Sequence, residues 1–263
     1  MIGRKKHWLP FLSFIVLISI CPSVLGSEPL IDKKTGLPII PNVLNYLDDL
    51  FRSSSSISVI RLVVTKPRAT RTLEMKAWTR GTEEALIVIE KPARDAGTAT
   101  LKVGDNLWNF LPKISRTIRI PPSMMLSSWM GSDFTNDDLV RESSLLKDFT
   151  ATLKGRSKDP DGWIIELRAK EGLVGLWEKI DYTMTTDATL PLRAKYYDRK
   201  GRLARTMDFK DVKVFDGRRI PSHMVLTPED KKEQKTEMIY VSIDFDADVP
   251  ESTFSLSQLE KAR

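Results

Sequence analysis

The chain of 263 residues carries 41 basic and 35 acidic side chains, a formal net charge of +6. Three of the basic residues lie before position 27, where the sequence has no acidic residue, so the rest of the chain carries 38 basic against 35 acidic residues. This near balance, without a dense Lys/Arg stripe interleaved with aromatic residues, argues against a nucleic-acid partner.

Residues 1–26 have the three-part pattern of a secretory signal peptide. Arg4-Lys5-Lys6 forms a positive region, the apolar stretch Leu9–Ile20 follows, and Val24-Leu25-Gly26 precedes the expected cleavage site. Because the apolar stretch is shorter than the roughly 20 residues of a membrane-spanning helix, we expect cleavage after Gly26 rather than a retained anchor. The mature protein is then expected in the periplasm of a Gram-negative type of cell envelope.

Cys21 lies within this predicted signal peptide. The residue before it, Ile20, is bulkier than the small residue that a lipidation site requires, so we do not expect a lipid-modified N-terminus. Cleavage after Gly26 would leave a mature chain without cysteine, which excludes thiol catalysis and cysteine-ligated metals.

Residues 27–56 are predicted to form an N-terminal arm with one short helix. Residues 27–42 are rich in Pro and Gly, which is typical of an extended segment. Residues 43–52 place apolar side chains at helical spacing and indicate an amphipathic helix. These side chains are Val43, Leu44, Leu47, Leu50 and Phe51.

Strand signals dominate residues 57–263, which we interpret as one β domain. The predicted strands are Ile57–Thr65, Thr70–Arg80, Ala85–Glu90, Gly97–Val103, Asn106–Leu111, Arg116–Ile120, Phe149–Ser157, Trp163–Ala169, Lys179–Thr186, Leu192–Asp198, Leu203–Phe215, Arg219–Leu226 and Thr236–Phe245. Turn signals such as Gly104-Asp105 and Asp216-Gly217 separate neighbouring strands. Many short strands joined by short turns predict a mainly β fold with a meandering, curved antiparallel sheet.

The strand pattern is interrupted at residues 121–140. Pro121-Pro122-Ser123 ends a strand, and the apolar pairs that follow up to Met130 predict a short helix with Gly131 as its C-cap. The Thr135–Asp138 spacing of a capping box predicts a second short helix. The first helix can be a plug that fills one end of the core or a lid over an apolar cavity, and periodicity alone favours the plug.

A characteristic block, Met-Gly-Ser-Asp-Phe-Thr-Asn-Asp-Asp-Leu, occupies residues 130–139. Weaker matches follow in order, among them Leu107-Trp108-Asn109-Phe110-Leu111-Pro112, Leu190-Pro191-Leu192 and Phe209-Lys210-Asp211-Val212. Together they resemble the LolA-like family of outer-membrane lipoprotein-sorting proteins over roughly residues 57–256. The resemblance implies a half-open β-barrel with short helices as a lid, an apolar pocket for acyl chains and no catalytic machinery. It favours the lid over the plug.

Candidate ligand-binding residues follow from the cavity interpretation. They are Met75, Trp78, Trp108 and Phe110 on the sheet, and Met125, Leu126, Trp129 and Met130 on the lid. The motif adds Gly131, Ser132, Asp133, Phe134 and Asp138. Met75 and Trp78 differ in strand parity, so both face inward only if a bulge lies between them; for each aromatic residue, ordinary core packing is the alternative.

Enzymatic function is not expected. The acidic cluster Asp133, Asp137 and Asp138 is most simply explained by helix capping, since acids stabilise a helix N-terminus. His223 is the only histidine after residue 26, and the sequence contains no Gly-x-Ser-x-Gly nucleophile motif. We therefore predict no catalytic residue, no metal and no cofactor.

The predicted function is that of a periplasmic carrier or chaperone in lipid transport or outer-membrane lipoprotein sorting. Its expected partners are a lipid or the acyl chains of lipoproteins, together with an inner- or outer-membrane protein, and the protein is expected to be a monomer. The alternative is an interaction or sensor module that docks on a membrane exporter or a signalling complex.

Overall fold

The structure, a computed structural model, describes residues 28–51, 53–140, 145–172 and 177–261. The predicted signal peptide and Cys21 lie outside these residues. Within the described ranges, no helix combines the length and the apolar character that crossing a membrane requires.

One sheet of 13 antiparallel strands makes up most of the described part of the chain. The strands are β1 Ser55–Lys66, β2 Ala69–Arg80, β3 Glu84–Lys91, β4 Ala99–Val103, β5 Asn106–Leu111, β6 Arg116–Arg119, β7 Phe149–Lys158, β8 Asp161–Ala169, β9 Lys179–Met184, β10 Pro191–Tyr197, β11 Leu203–Phe215, β12 Arg218–Pro228 and β13 Lys235–Phe245. The sheet is curved and stays open between its edge strands β6 and β7. The predicted mainly β class is confirmed.

Short turns hold the strands in register, as the sequence predicts. Val103 pairs with Asn106 across Gly104-Asp105, and Phe215 pairs with Arg218 across Asp216-Gly217. Asp216 and Gly217 have φ angles of +47° and +78°. Two successive left-handed residues characterise the tight hairpin turn whose twist matches that of the flanking strands.

The path of the chain determines what covers the sheet. The strand order in the sheet is β6-β5-β4-β3-β2-β1-β13-β12-β11-β10-β9-β8-β7. Strands β1 to β6 therefore run in sequence from the centre to one edge of the sheet. Strands β7 to β13 run in sequence from the other edge back to the centre, where β13 pairs with β1. The connection from β6 to β7 must therefore run from one edge of the open sheet to the other. Trp129, Phe134 and Leu145 of this connection pack into the main core, so it crosses the sheet face.

Four α-helices are described: α1 Ile40–Asp49, α2 Asn136–Val140, α3 Leu145–Asp148 and α4 Leu256–Lys261. The predicted N-terminal helix is confirmed as α1 but begins earlier, because Pro41 is well tolerated in a first helical turn. Val43 and Leu44 of α1 are fully buried in the main core. α1 is therefore part of the same folded unit as the sheet.

The first helix predicted after Pro121 is wrong. The chain forms a single 3-10 turn, Pro122–Met124. A tight loop follows, in which Ser128 and Thr135 form an isolated antiparallel β-bridge. Met130 and Gly131 have φ angles of +51° and +73°, which no α-helix can contain. Two backbone hydrogen bonds close the loop. Trp129 N–H donates to the Phe134 carbonyl at 2.8 Å, and Ser132 N–H donates to the Trp129 carbonyl at 2.9 Å.

Candidate ligand cavity

A cavity of about 490 Å³ lies between the inner face of the curved sheet and the segments that cover it. Its floor comes from strands on both sides of the central β1–β13 pair. Its cover comes from α1, the β6–β7 connection and the segment before β9. The main apolar lining residues are Ile60, Met75, Ile87, Met207, Met224, Met238, Phe51, Trp129, Phe134, Leu145 and Trp177.

The strand register explains why space remains in this core. On the inner face, Ser58 of β1 stands beside Ala77 of β2, and Ser56 stands beside Thr79. The next inward-facing pair along these two strands, Ile60 and Met75, is bulkier. Small side chains on adjacent strands leave a volume that their neighbours do not fill, whereas well-packed interiors contain few voids larger than a water molecule.

The end of the cavity with small residues is polar. The Ser56 and Thr79 hydroxyls are 2.7 Å apart and share a hydrogen bond. Lys102, which is buried in the wall, donates from Nζ to the Thr82 carbonyl. Thr100 completes this group, so the cavity has a hydroxyl-rich end with a buried ammonium.

Trp129 closes the cavity from the cover side. Its side chain is only 1% exposed, and its indole Nε1–H donates to Thr100 Oγ1 on β4 at 3.1 Å. Thr100 Oγ1 in turn donates to Asn109 Oδ1 on β5 at 2.8 Å. The indole thus links the covering loop to the cavity floor with its polar group satisfied, as a buried tryptophan requires.

The Gly-Ser-Asp-Phe motif builds the tip of the covering loop. Gly131 supplies a left-handed residue, and its neighbour Met130 offers a carbonyl that accepts from Arg71 Nη1 at 3.0 Å. The Ser132 hydroxyl donates to the Trp129 carbonyl at 2.6 Å and accepts from Phe134 N–H at 3.2 Å. The turn therefore directs both Trp129 and Phe134 into the cavity.

Asp133 fixes this loop to β13. Its carboxylate accepts from the Thr236 hydroxyl at 2.7 Å and from Gln234 Nε2, while its backbone N–H donates to Thr236 Oγ1 at 2.9 Å. Thr236 is fully buried, and the Asp133 side chain is nearly so. A buried carboxylate with several donors is a structural anchor, because leaving those groups unpaired would be costly.

Asp138 joins α2 to the opposite half of the sheet. It accepts from Thr135 N–H at 2.8 Å while its own N–H donates to Thr135 Oγ1 at 3.1 Å, which confirms the predicted capping box. The same carboxylate receives two hydrogen bonds from Arg205 of β11, at 2.8 and 2.7 Å. Burial would raise the pKa of Asp138, but the hydrogen bonds and charge of Arg205 hold that pKa below its ordinary value.

Arg205 is held by aromatic rings as well as by Asp138. Its guanidinium lies 4.4 Å from the Trp177 ring centroid and 4.5 Å from that of Tyr196. Tyr196 neighbours Tyr182, and burial followed by the proximity of Tyr196 raises the pKa of Tyr182 well above its ordinary value. This part of the cavity wall therefore combines a buried ion pair with two protonated tyrosines.

Three solved structures share this architecture. A DUF1329 family protein from Desulfovibrio piger has a TM-score of 0.76 and 24% identity, covering 83% of this chain and 96% of its own. A putative outer membrane lipoprotein-sorting protein domain from Vibrio parahaemolyticus has a TM-score of 0.71 and 21% identity, covering 82% and 97%. A LolA superfamily protein from Nitrosomonas europaea has a TM-score of 0.69 and 22% identity, covering 83% and 98%. These likenesses show the fold.

Residues 81–261 match a family model described as "-like: Uncharacterized protein". This match covers more than half of the chain, so the chain belongs to that family, and its fold is LolA-like. No curated protein sequence matches the chain.

In this LolA-like protein, four of the predicted ligand-binding and motif residues line the cavity. They are Met75, Trp129, Phe134 and Asp138. Gly131, Ser132 and Asp133 shape and anchor the loop that carries Trp129, and Met130 packs against the main core. Whether any of these residues binds a ligand stays a prediction.

Trp78, Trp108 and Phe110 lie on the other face of the sheet, so the prediction that they line the cavity is wrong. They join a second core with Phe254 and Leu259 of the C-terminal segment. No bulge separates Met75 from Trp78, so strand parity places Met75 and Ala77 inside and Trp78 outside.

Met125 and Leu126 also stand away from the cavity. Leu126 is exposed to solvent, and the helix that would have turned both toward the interior does not form. The Met125 carbonyl instead accepts from Asp137 N–H at 2.8 Å, which ties the loop back to α2.

Sequence reasoning missed the contributions of α1, Trp177 and Arg205 to this LolA-like cavity. Leu47 of α1 and Phe51, just after that helix, line the cavity, as does Trp177. The apolar helical spacing of α1 indicates burial, but nothing local shows which face of the sheet it covers. Arg205 and Met207 are two positions apart on β11 and therefore share a face of the sheet. That spacing is the one local signal that Arg205 points toward the cavity.

The described residues contain no cluster of three or more His, Cys, Asp or Glu side chains suited to a metal ion. His223 lies on the outer face, next to the inward-facing Met224, and its ring nitrogens are 3.2 Å from Asp211 Oδ2 and 3.1 Å from Glu237 Oε1. Asp133 and Asp138 are engaged in anchoring and ion pairing.

Proposed function

We propose that this LolA-like protein is a periplasmic carrier that holds an acyl chain of a lipid or lipoprotein in the cavity between the sheet and its cover. The observation that supports this proposal is the cavity itself, about 490 Å³ of largely apolar space beneath the anchored loop of Trp129. Ligand sites of proteins commonly occupy about 300–1,000 Å³ and are mostly apolar with a few polar groups.

The energetics favour a long apolar guest. Each methylene moved from water into the cavity contributes about 0.8 kcal/mol, from which the cost of ordering the chain must be subtracted. Methionine side chains at positions 75, 207, 224 and 238 line the cavity. Flexible, polarizable methionine adapts to guests of different shape, as a carrier of varied acyl chains requires.

The polar end sets the direction of the guest in this proposal. Ser56, Thr79 and Lys102 lie at one end of the cavity, and the rest of the lining is mostly apolar apart from the wall around Asp138 and Arg205. A carboxylate, ester or other oxygen-rich end can accept hydrogen bonds from hydroxyl and ammonium groups, which an apolar methylene chain cannot. The acyl chain therefore enters with its polar end toward β1, β2 and β4.

A cavity-filling substitution tests the proposal. Ala77→Phe places a ring among Ser58, Ile87 and Met75, and displacing about two methylenes of the guest weakens binding about tenfold or more. Ala69→Phe on the exposed start of the same strand is the matched control, with unchanged affinity expected. The measurement is titration with a fluorescent fatty acid, with circular dichroism to show that both variants fold.

Native mass spectrometry of protein purified from its own periplasm provides an independent check. We expect a co-purifying lipid or acylated protein with the natural chain and its loss with Trp129→Asp, which places a charge at the cavity cover. If a folded Ala77→Phe protein and the natural chain bind the fatty acid equally, the cavity is not the binding site and the carrier proposal is wrong.

A further inference from the structure

The segment from Lys113 to Leu126 presents large aliphatic side chains to solvent at one edge of the sheet. Ile114 is 58% exposed, Leu126 56%, Met124 46% and Ile118 42%. These four are nearly half of the large hydrophobic residues exposed anywhere in the described ranges. Single exposed aliphatic residues are normal, but a cluster within one short segment indicates an interaction surface.

The same segment is strongly basic. Residues 106–132 contain Lys113, Arg116 and Arg119 and no acidic residue, in a chain that elsewhere nearly balances its charges. Lys113 and Arg116 are exposed. Arg119 is exposed and donates to the neutral Asn106 Oδ1. One acid at this segment, Glu260, receives a hydrogen bond from Thr117 at 2.7 Å on the outer face.

Strand register places two of these residues, Ile118 and Arg116, on the cavity side of the sheet. Ile118 pairs with Asn109, whose side chain bonds to the cavity residue Thr100, so Ile118 and Arg116 face the cavity side of the sheet. β6 is an edge strand and continues into the covering loop of Trp129. We name Lys113, Ile114, Arg116, Ile118, Met124 and Leu126 the edge patch.

We propose that the edge patch docks this protein on the surface of an anionic lipid bilayer. Aliphatic side chains enter the interface between headgroups and acyl chains while neighbouring Lys and Arg side chains contact anionic headgroups. Each basic residue near such a surface strengthens binding about fivefold. Docking through the edge patch would bring this edge of the sheet, with Ile118 and Arg116 on its cavity side, to the membrane that supplies or receives an acyl chain.

The charge distribution disfavours a second copy as the occupant. Antiparallel pairing of two β6 edges would bring Arg116 and Arg119 of one copy close to those of the other, and like charges on paired strands are destabilising. Charged side chains on an edge strand are also a common means of preventing such pairing. An anionic bilayer complements both the positive charge and the aliphatic residues.

Co-sedimentation with vesicles tests the proposal on the mature protein without any added fatty acid. We expect binding to vesicles of phosphatidylethanolamine and phosphatidylglycerol, weaker binding in high salt, and little binding to pure phosphatidylcholine. Lys113→Glu/Arg116→Glu is expected to weaken binding by about tenfold or more. Ile114→Ser/Leu126→Ser is expected to weaken it as well, with less effect on its salt dependence.

The matched control is Lys213→Glu/Val214→Ser, which alters an exposed basic residue and an exposed aliphatic residue on β11. In the sheet, β11 lies on the opposite side of the central strand β1 from β6. Equal binding by this control and both edge-patch variants would overturn the proposal. So would a change in sedimentation coefficient without a change in vesicle binding, since the occupant would then be a second copy. Fatty-acid affinity should persist in the edge-patch variants, which separates this test from that of the carrier function.

Discussion

At the level of single residues, Asp138 connects local and long-range structure. It caps α2 through Thr135, three positions earlier, and pairs with Arg205, which lies 67 residues further along the chain. Arg205 cannot lose its charge and is buried among Trp177, Tyr196 and Asp138. Removing one partner of such a pair leaves a buried charge without compensation, which is more costly than the net contribution of the intact pair.

Asp138→Asn is therefore expected to lower the free energy of unfolding by about 3–5 kcal/mol at neutral pH. The folded-state pKa of Asp138 lies below its ordinary value of 3.8, so the stabilisation is fully present above that value and disappears as the pH falls through the folded-state pKa. Urea unfolding at several pH values measures both effects. The difference between the natural chain and Asp138→Asn should shrink below about pH 4.

Asp244→Asn on the exposed face of β13 serves as the control, with little expected change at any of these pH values. A pH-independent difference between the natural chain and Asp138→Asn would show that the ionised carboxylate is not what stabilises the fold at this position.

At the level of elements, the loop of residues 121–135 is the feature that makes a cavity out of a curved sheet. It contains little regular structure, so its position depends on two anchors near its tip: Trp129 on Thr100, and Asp133 on Thr236. These anchors lie on β4 and β13, on the two sides of the central strand β1. The loop therefore spans the cavity as a cover fixed to both halves of the floor.

Thr236→Val removes the hydroxyl that both donates to and accepts from Asp133 while keeping the side-chain shape. We expect it to lower the free energy of unfolding by about 1–3 kcal/mol, because the buried Asp133 carboxylate loses one of its hydrogen-bond donors. We also expect faster release of a bound fluorescent fatty acid, measured by stopped-flow displacement. Thr227→Val on the exposed side of β12 is the matched control; if both variants release the ligand at the same rate, the Asp133 anchor does not control opening of the cover.

At the level of the whole molecule, the sheet is buried on both faces over β2–β5. The inner face carries the cavity, and the outer face packs Trp78, Trp108 and Phe110 against the segment that follows β13. Phe254 and Leu259 from this segment lie in the outer core. The two cores share strands but not side chains, so stability contributed by the outer core should be separable from ligand binding in the inner one.

Phe254→Ala is expected to lower the free energy of unfolding by about 3–5 kcal/mol through loss of buried surface and creation of a void. Affinity for a fluorescent fatty acid should stay unchanged in the folded variant, since Phe254 does not line the cavity. Combined thermal unfolding and ligand titration measures both quantities. A loss of affinity that matches the loss of stability would mean that the two faces are energetically coupled.

Local sequence was sufficient for the strands, the tight turns and the capping box. Alternation along a strand and the residues of a two-residue turn act within a few positions, so the register at Gly104-Asp105 and the Thr135–Asp138 pair could be predicted. Parity also indicated that Met75 and Trp78 point to opposite faces. The LolA-like family was recognisable because residues 130–139 form the loop tip whose conformation the cover requires.

Only the tertiary structure decided which face of the sheet encloses space. Apolar residues occur on both faces of β2–β5, so Trp108 and Phe110 were as plausible in the cavity as Met75 until the C-terminal segment was seen to cover them. The partners of Asp133 and Asp138 lie 103 and 67 residues away in the chain. Such contacts arise from sheet curvature and chain path, which hydrophobic periodicity does not encode.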